Sequence, residues 1–144
     1  MSQENVEVVR RFIEALPRAQ LSGDWEPVLA EVDPQIDIED LDISLDTDRF
    51  RGLGGVREWI GVWMESWEDW RLEDVEVRPV GEDGALGLFR VYAKGRGSGI
   101  ELFRRDAMVC TLRAGKIARI VYYNDERQAL EAVGLSEPDP HADA

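Results

Sequence analysis

The chain has 144 residues, 44% of them hydrophobic, and a formal net charge of -13. One domain is expected at this length, burying roughly 68–70% of the surface its unfolded chain exposes, which leaves room for a core and a small pocket without disulfide staples. So acidic a surface repels phosphate backbones and anionic lipid headgroups, and neither nucleic acid nor a membrane is an expected partner.

Single residues exclude further classes. Cys110 is the only cysteine, so an internal disulfide is impossible, and its apolar surroundings read as those of a packed thiol. His141, the only histidine, lies near the C-terminus. Ser-His-Asp and Cys-His mechanisms within one chain are therefore not expected, nor are histidine-rich metal sites. The start MSQENVEVVRRF lacks the apolar run of a signal peptide, and no stretch approaches about 18 uninterrupted apolar residues. The cytoplasm is the default location.

Residues 3–21 place Val6, Val9, Phe12, Ile13 and Leu16 at helical spacing, with Ser2 as a cap and Glu4 in the first turn. Pro17 is expected to bend or end this helix, because it lacks a donor and crowds the preceding turn. Gly23 and Asp24 read as a stop and a new cap before a short helix in DWEPVLAEV. The run QIDIEDLDISLD at 35–46 is the first strand region. Its alternation slips once: Ile36 and Ile38 share one parity, and Leu41, Ile43 and Leu45 share the other, with Glu39 and Asp40 between. A bulge or bend there would re-aim one side chain.

TDRFRGLGG reads as a loop, and GGVREWIGVWMESWEDW as the strongest helix, with Val56, Trp59, Ile60, Trp63, Trp67 and Trp70 on one stripe. Period-two strands follow at 72–80, 85–94, 100–112 and 117–123, closed by GEDG, GRGSG and RAGK. NDERQALEAVGL reads as a short terminal helix capped by Asp125 and Gly134. The domain is thus expected over 1–135, with a disordered polar tail at 136–144. Helices first and hairpin-linked strands after them predict an α+β fold with a largely antiparallel sheet. The strand at 100–112 is apolar on both faces. One face can pack on the helices, and a homodimer through the sheet is the simplest cover for the other.

Three groups of residues are candidates for chemistry. If Ile36 and Ile38 face inward, alternation points Asp40 inward too. A carboxylate on an apolar wall is more basic than one in water and can take a proton from carbon beside a carbonyl, with no cofactor. The alternative is a strand end whose acids all face water. Calcium at Asp37, Asp40, Asp42, Asp46 and Asp48 is a weaker reading, since the stretch lacks the central glycine of a calcium loop, and no metal site is assigned. Asp106 lies between Arg104 and Met108 on one parity, so either it pairs with an arginine such as Arg104 or Arg90, or it faces a wet cavity. The tryptophans, with Trp25, are first of all core. One or two of them, Trp59 and Trp63 foremost, are candidates to line a pocket for a small, flat or apolar carbonyl compound. Phe12, Tyr92 and Tyr122 are further wall candidates.

The runs NVEVVRRFIEAL, SGDWEPVLAEVDP, FRGLGGVREWIGVW, GRGSG, LRAGKIARIVYY and DERQALEAVGL, in this order and spacing over about residues 3–135, resemble the SnoaL-like members of the nuclear transport factor 2-like superfamily, which also holds ketosteroid isomerase and polyketide cyclases. The resemblance implies a curved sheet wrapped round the helices as a cone, with a pocket at the wide end. It implies activity less firmly, because the fold hosts enzymes and non-catalytic modules alike. Ketosteroid isomerase uses an Asp base, a Tyr and a protonated Asp. Their counterparts here are the Glu39–Asp40 pair, Phe12 and Met108, with Asp106 two residues before Met108. A phenylalanine where the isomerase has its tyrosine argues against a true steroid isomerase, and leaves Tyr92 or Tyr122 as replacement donors. Two readings stay open: a proton-transfer enzyme with Asp40 or Glu39 as base and Asp106 as orienting group, or a non-catalytic dimeric module that binds a ligand or a protein. A cavity filled by tryptophans with Asp106 clamped by arginine would favour the second.

Overall fold

The computed structural model describes residues 2–41 and 49–134. Helix α1 (Ser2–Ser22) buries Val6, Val9, Phe12, Ile13, Leu16 and Ala19. It runs through Pro17 instead of ending there. Proline removes one backbone donor, but Leu16 and Ala19 on either side are buried, and their packing holds the last turn in place. Gly23, at φ 79°, ends the helix with its amide 2.8 Å from the Ala19 carbonyl oxygen. The Asp24 carboxylate accepts the Glu26 amide at 3.1 Å. Helix α2 (Glu26–Leu29) is one turn, shorter than its sequence suggested.

Strand β1 (Val32–Asp40) buries Ile36, Ile38 and Asp40 on one face. No bulge forms at Glu39–Asp40; the strand stops there, and its register shift lies between Val32 and Asp37. Ile43 and Leu45, which set the second phase, lie outside the described residues, as do Asp42, Asp46 and Asp48. Where a loop was expected, strand β2 (Arg49–Arg51) pairs antiparallel with β1. Three residues are too few to show a period, but Arg49 reaches Asp37 at 3.3 Å and Phe50 is buried.

Helix α3 (Gly52–Ser66) also ends earlier than its stripe suggested. Trp67 and Trp70 open strand β3 (Trp67–Val80), whose ladder with strand β4 (Gly84–Gly95) starts at Trp67 opposite Gly95. Their spacing from Trp63 fits a helix, yet backbone pairing with β4 decides their conformation. Strands β5 (Glu101–Arg113) and β6 (Lys116–Tyr123) complete one six-stranded sheet, ordered β2-β1-β6-β5-β4-β3. All neighbours are antiparallel except β1 and β6, which run parallel. The architecture is α+β, with a curved, unclosed sheet. Helices α1 and α3 fill its inner face. Gly87 marks the closest approach of α1, since a Cβ there would lie 2.5 Å from Ile13 Cδ1.

Between Glu68 and Arg71 strand β3 holds one residue more than β4 does between Lys94 and Tyr92, so Asp69 and Trp70 together oppose Ala93. Asp69 sits at φ 51°, a left-handed conformation costly for a residue with a side chain. This bulge turns Trp70 to the inner face while Arg71 returns to the outer one. A second bulge lies at Asp74, φ 52°.

Helix α4 (Glu126–Ala132), capped by the Asp125 carboxylate accepting the Arg127 amide at 2.9 Å, crosses the outer face. Its Ala129 and Leu130 pack on Leu86, Leu88 and Ala107. Part of the cover expected from a partner chain therefore comes from the chain itself. The tail at 136–144, with His141, lies outside the described residues.

Candidate functional site

Strand register brings the site together. On the inner face Asp40 is the Cα partner of Tyr122, Tyr122 of Met108, and Met108 of Gly87. Asp106 precedes Met108 on the same face and pairs with Phe89. Asp40 and Asp106 are both 0% exposed.

Each carboxylate is held by internal donors. Asp40 Oδ2 accepts the indole N–H of Trp59 at 2.7 Å and of Trp63 at 3.3 Å, both from α3. Arg104 grips Asp106 with two bonds, Nε to Oδ1 at 2.6 Å and Nη2 to Oδ2 at 2.9 Å, the planar fork that suits a carboxylate. The Tyr122 hydroxyl also donates to Asp106 Oδ2. Burial first, then the charge and hydrogen bond of Asp106 and the charge of Asp40, push the Tyr122 phenol well above its ordinary range, against a smaller opposing pull from Arg104. Tyr122 therefore stays a neutral donor at physiological pH. Trp59 and Trp63 meet its ring edge-on at 5.7 and 5.8 Å, and the Arg104 guanidinium lies 5.7 Å from the Trp63 ring.

Above this polar layer opens an apolar funnel lined by Trp59, Trp63, Trp70, Tyr122 and Met108, with Leu16, Ile60, Leu72 and Val91. Its enclosed space is about 20 Å³, room for a single water. Neither Asp40 nor Asp106 is part of its lining.

Of the residues expected at the site, Asp40, Asp106, Trp59, Trp63, Met108 and Tyr122 come together. Glu39 does not: it points to the other face of β1, within 3.5 Å of both Arg49 and Arg119. Phe12 is buried in the core away from the funnel, and Trp25 lies under Arg57 at 5.9 Å. Arg90 and Tyr92 are on the outer face, Arg90 3.5 Å from Asp74 and Tyr92 stacked near Arg71 and Phe103. Tyr122, not Tyr92, is the inward tyrosine, and Arg104, not Arg90, is the partner of Asp106. Trp70 is a funnel residue that the helical reading of the tryptophan stripe concealed, and Leu72, expected in a strand, lines the funnel beside it. Cys110 is buried, and burial raises its thiol to about 12, so it is inert. Among the described residues no group of three or more His, Cys, Asp or Glu is placed to hold a metal. Asp37 and Asp40 face opposite sides of β1, so they do not share one. Among the described residues no helix is long and apolar enough to cross a membrane.

The sequence matches the family described as the SnoaL-like domain over residues 9–120. The chain belongs to the SnoaL-like domain family. Solved structures of similar fold agree with the nuclear transport factor 2-like architecture. A protein of Xanthomonas campestris pv. campestris, provisionally assigned as a polyketide cyclase, is 18% identical, with 92% of this chain and 98% of that one covered and a TM-score of 0.71. A nuclear transport factor 2-like protein of Burkholderia xenovorans LB400 is 21% identical, with 92% and 97% covered and a TM-score of 0.71. A Catenulispora acidiphila DSM 44928 protein with a ketosteroid isomerase-like fold, in complex with trimethylamine, is 14% identical, with 90% and 93% covered and a TM-score of 0.68. No functionally curated protein matches the chain. The SnoaL-like fold is a pocket fold, and the inner face of this sheet carries the aromatic funnel.

Proposed function

We propose that this SnoaL-like protein holds a small, mostly apolar molecule in the aromatic funnel, and that Asp40 and Asp106 build the funnel's support instead of reacting. One observation carries this reading: both carboxylates are fully buried, gripped by indole, guanidinium and phenol donors, and lie behind the lining. A general base must reach the proton it removes. The enclosed space holds about one water, so a bound molecule has to move the aromatic walls apart to enter.

A second reading, cofactor-free proton abstraction beside a carbonyl with Asp40 as base and Asp106 orienting, is favoured by a different observation. Asp40 lies on the inner face as the register partner of Tyr122, whose phenol would have to leave Asp106 to replace the donor lost at Phe12. Deuterium exchange separates the two. Indan-1-one is incubated with the protein in heavy water, and loss of its α-hydrogens is followed by NMR. Binding without faster exchange than buffer supports the first reading. Protein-accelerated exchange that Asp40→Asn abolishes would replace it with the second.

The homodimer belongs with this proposal. Helix α4 leaves Phe103, 71% exposed, and Tyr92, its ring 5.0 Å away, uncovered on the outer face, and these support a second copy docking there.

A further inference from the structure

Trp70 carries a polar atom with nothing to bond to. Its side chain lines the funnel, it is only 8% exposed, and its indole Nε1 is buried without an acceptor. Buried donors almost always find a partner, and one left orphaned needs a reason. The other two indole donors of the funnel, on Trp59 and Trp63, are both engaged by Asp40.

The backbone adds a second observation. Trp70 faces inward because of the bulge at Asp69, which places a non-glycine residue at φ 51°. Without the extra residue the strand would run in plain alternation past Ala93. Bulges that re-aim a side chain, and strain held in a non-glycine residue, concentrate at functional sites. Packing alone does not explain the arrangement, since a phenyl ring would fill apolar space without stranding a donor.

From these we infer that Trp70 is the polar anchor of the funnel: its indole N–H donates to a single hydrogen-bond acceptor, a carbonyl, ether or hydroxyl oxygen, on an otherwise apolar ligand. Water is a poor substitute, because a bound water needs at least two polar partners and the rest of the lining is apolar apart from groups already bonded. The chemistry excludes pure hydrocarbons as preferred ligands and also anions, which would meet Asp40 and Asp106 behind the wall. This inference rests on the funnel being a ligand site and adds what the ligand must carry.

Indane and indan-1-one differ only in the ketone. Both are titrated into the full chain, followed by tryptophan fluorescence and by the indole N–H signals in a nitrogen-15 correlation spectrum. The ketone should bind about five- to tenfold more tightly than the hydrocarbon, the worth of one neutral hydrogen bond, and shift the Trp70 N–H downfield. Trp70→Phe should bring the ketone's affinity to within about twofold of indane's in the same variant, whatever the smaller ring does to both. Equal affinities in the unaltered protein would overturn the anchor while leaving the ligand site standing. So would discrimination that survives Trp70→Phe. If neither compound binds, the ligand site and the anchor fall together. Should Trp70→Phe not fold, the ketone-specific shift of the Trp70 signal in the unaltered protein decides the matter.

Discussion

Replacing Arg104 by methionine tests how the polar layer is held. The change keeps much of the stem's length and removes two charge-assisted bonds, at 2.6 and 2.9 Å, from a carboxylate that is 0% exposed. Breaking a buried ion pair from one side costs about 3–5 kcal/mol, because the remaining charge is stranded. The Arg104 side chain is 25% exposed, so solvent already screens part of the attraction and the lower end, about 3 kcal/mol, applies. Asp106→Asn should cost less, about 1 kcal/mol, since Arg104 can turn to water and the amide oxygen still accepts from Tyr122. The double variant removes the charge altogether and should cost about 1–2 kcal/mol, leaving a coupling of about 2–3 kcal/mol. Urea unfolding at neutral pH, followed by tryptophan fluorescence, measures all three. An Arg104→Met cost below about 1 kcal/mol, or a double variant as unstable as the sum of the singles, would refute the argument that Asp106 depends on its clamp.

Tyr122 gives a pH dependence with a definite sign. Its folded-state pKa is raised, so its contribution is intact below the unfolded value of about 10 and is lost as pH climbs toward the higher folded value. Above about pH 10 the urea midpoint should therefore fall, and Tyr122→Phe should flatten that part of the alkaline decline. An identical decline in both proteins would show that Tyr122 ionises as freely folded as unfolded. On the outer face, Phe103→Asp should convert a dimer to a monomer in sedimentation equilibrium without changing the circular dichroism spectrum. A monomeric unaltered chain would remove the dimer from the proposal.

The fold was legible because its strands are long and amphipathic and its turns carry glycine. The sheet from β3 to β6 and the α1 stripe follow directly from the periods of the sequence. Asp40 was legible for the same reason: parity from Ile36 and Ile38 points it inward, and it is buried there. Glu39 had the opposite parity and went to the opposite face. What could not be read was anything set by a break in periodicity. The tryptophans from Trp59 to Trp70 fit one helical stripe, yet two of them belong to a strand, and the bulge at Asp69 has no glycine to announce it. Partner choice was also hidden. Arg104 and Arg90 offer the same guanidinium, and the side of the sheet each occupies decides which one meets Asp106.

The one parallel pair in the sheet also bears on how the molecule forms. Asp40 and Tyr122 face each other across β1 and β6, although more than half of the chain lies between them. Hairpins from β3 to β6 can assemble locally, and α1 with α2 needs little beyond its neighbours. The Asp40–Tyr122 junction closes a very long loop, so its entropy must be met before any contact there rewards it. During synthesis β2 and the donors of α3 emerge well before β6, so β1 can meet β2 on one edge while its other edge waits for β6. The aromatic funnel should therefore be among the last features to take shape, with the tryptophan signal maturing late in refolding.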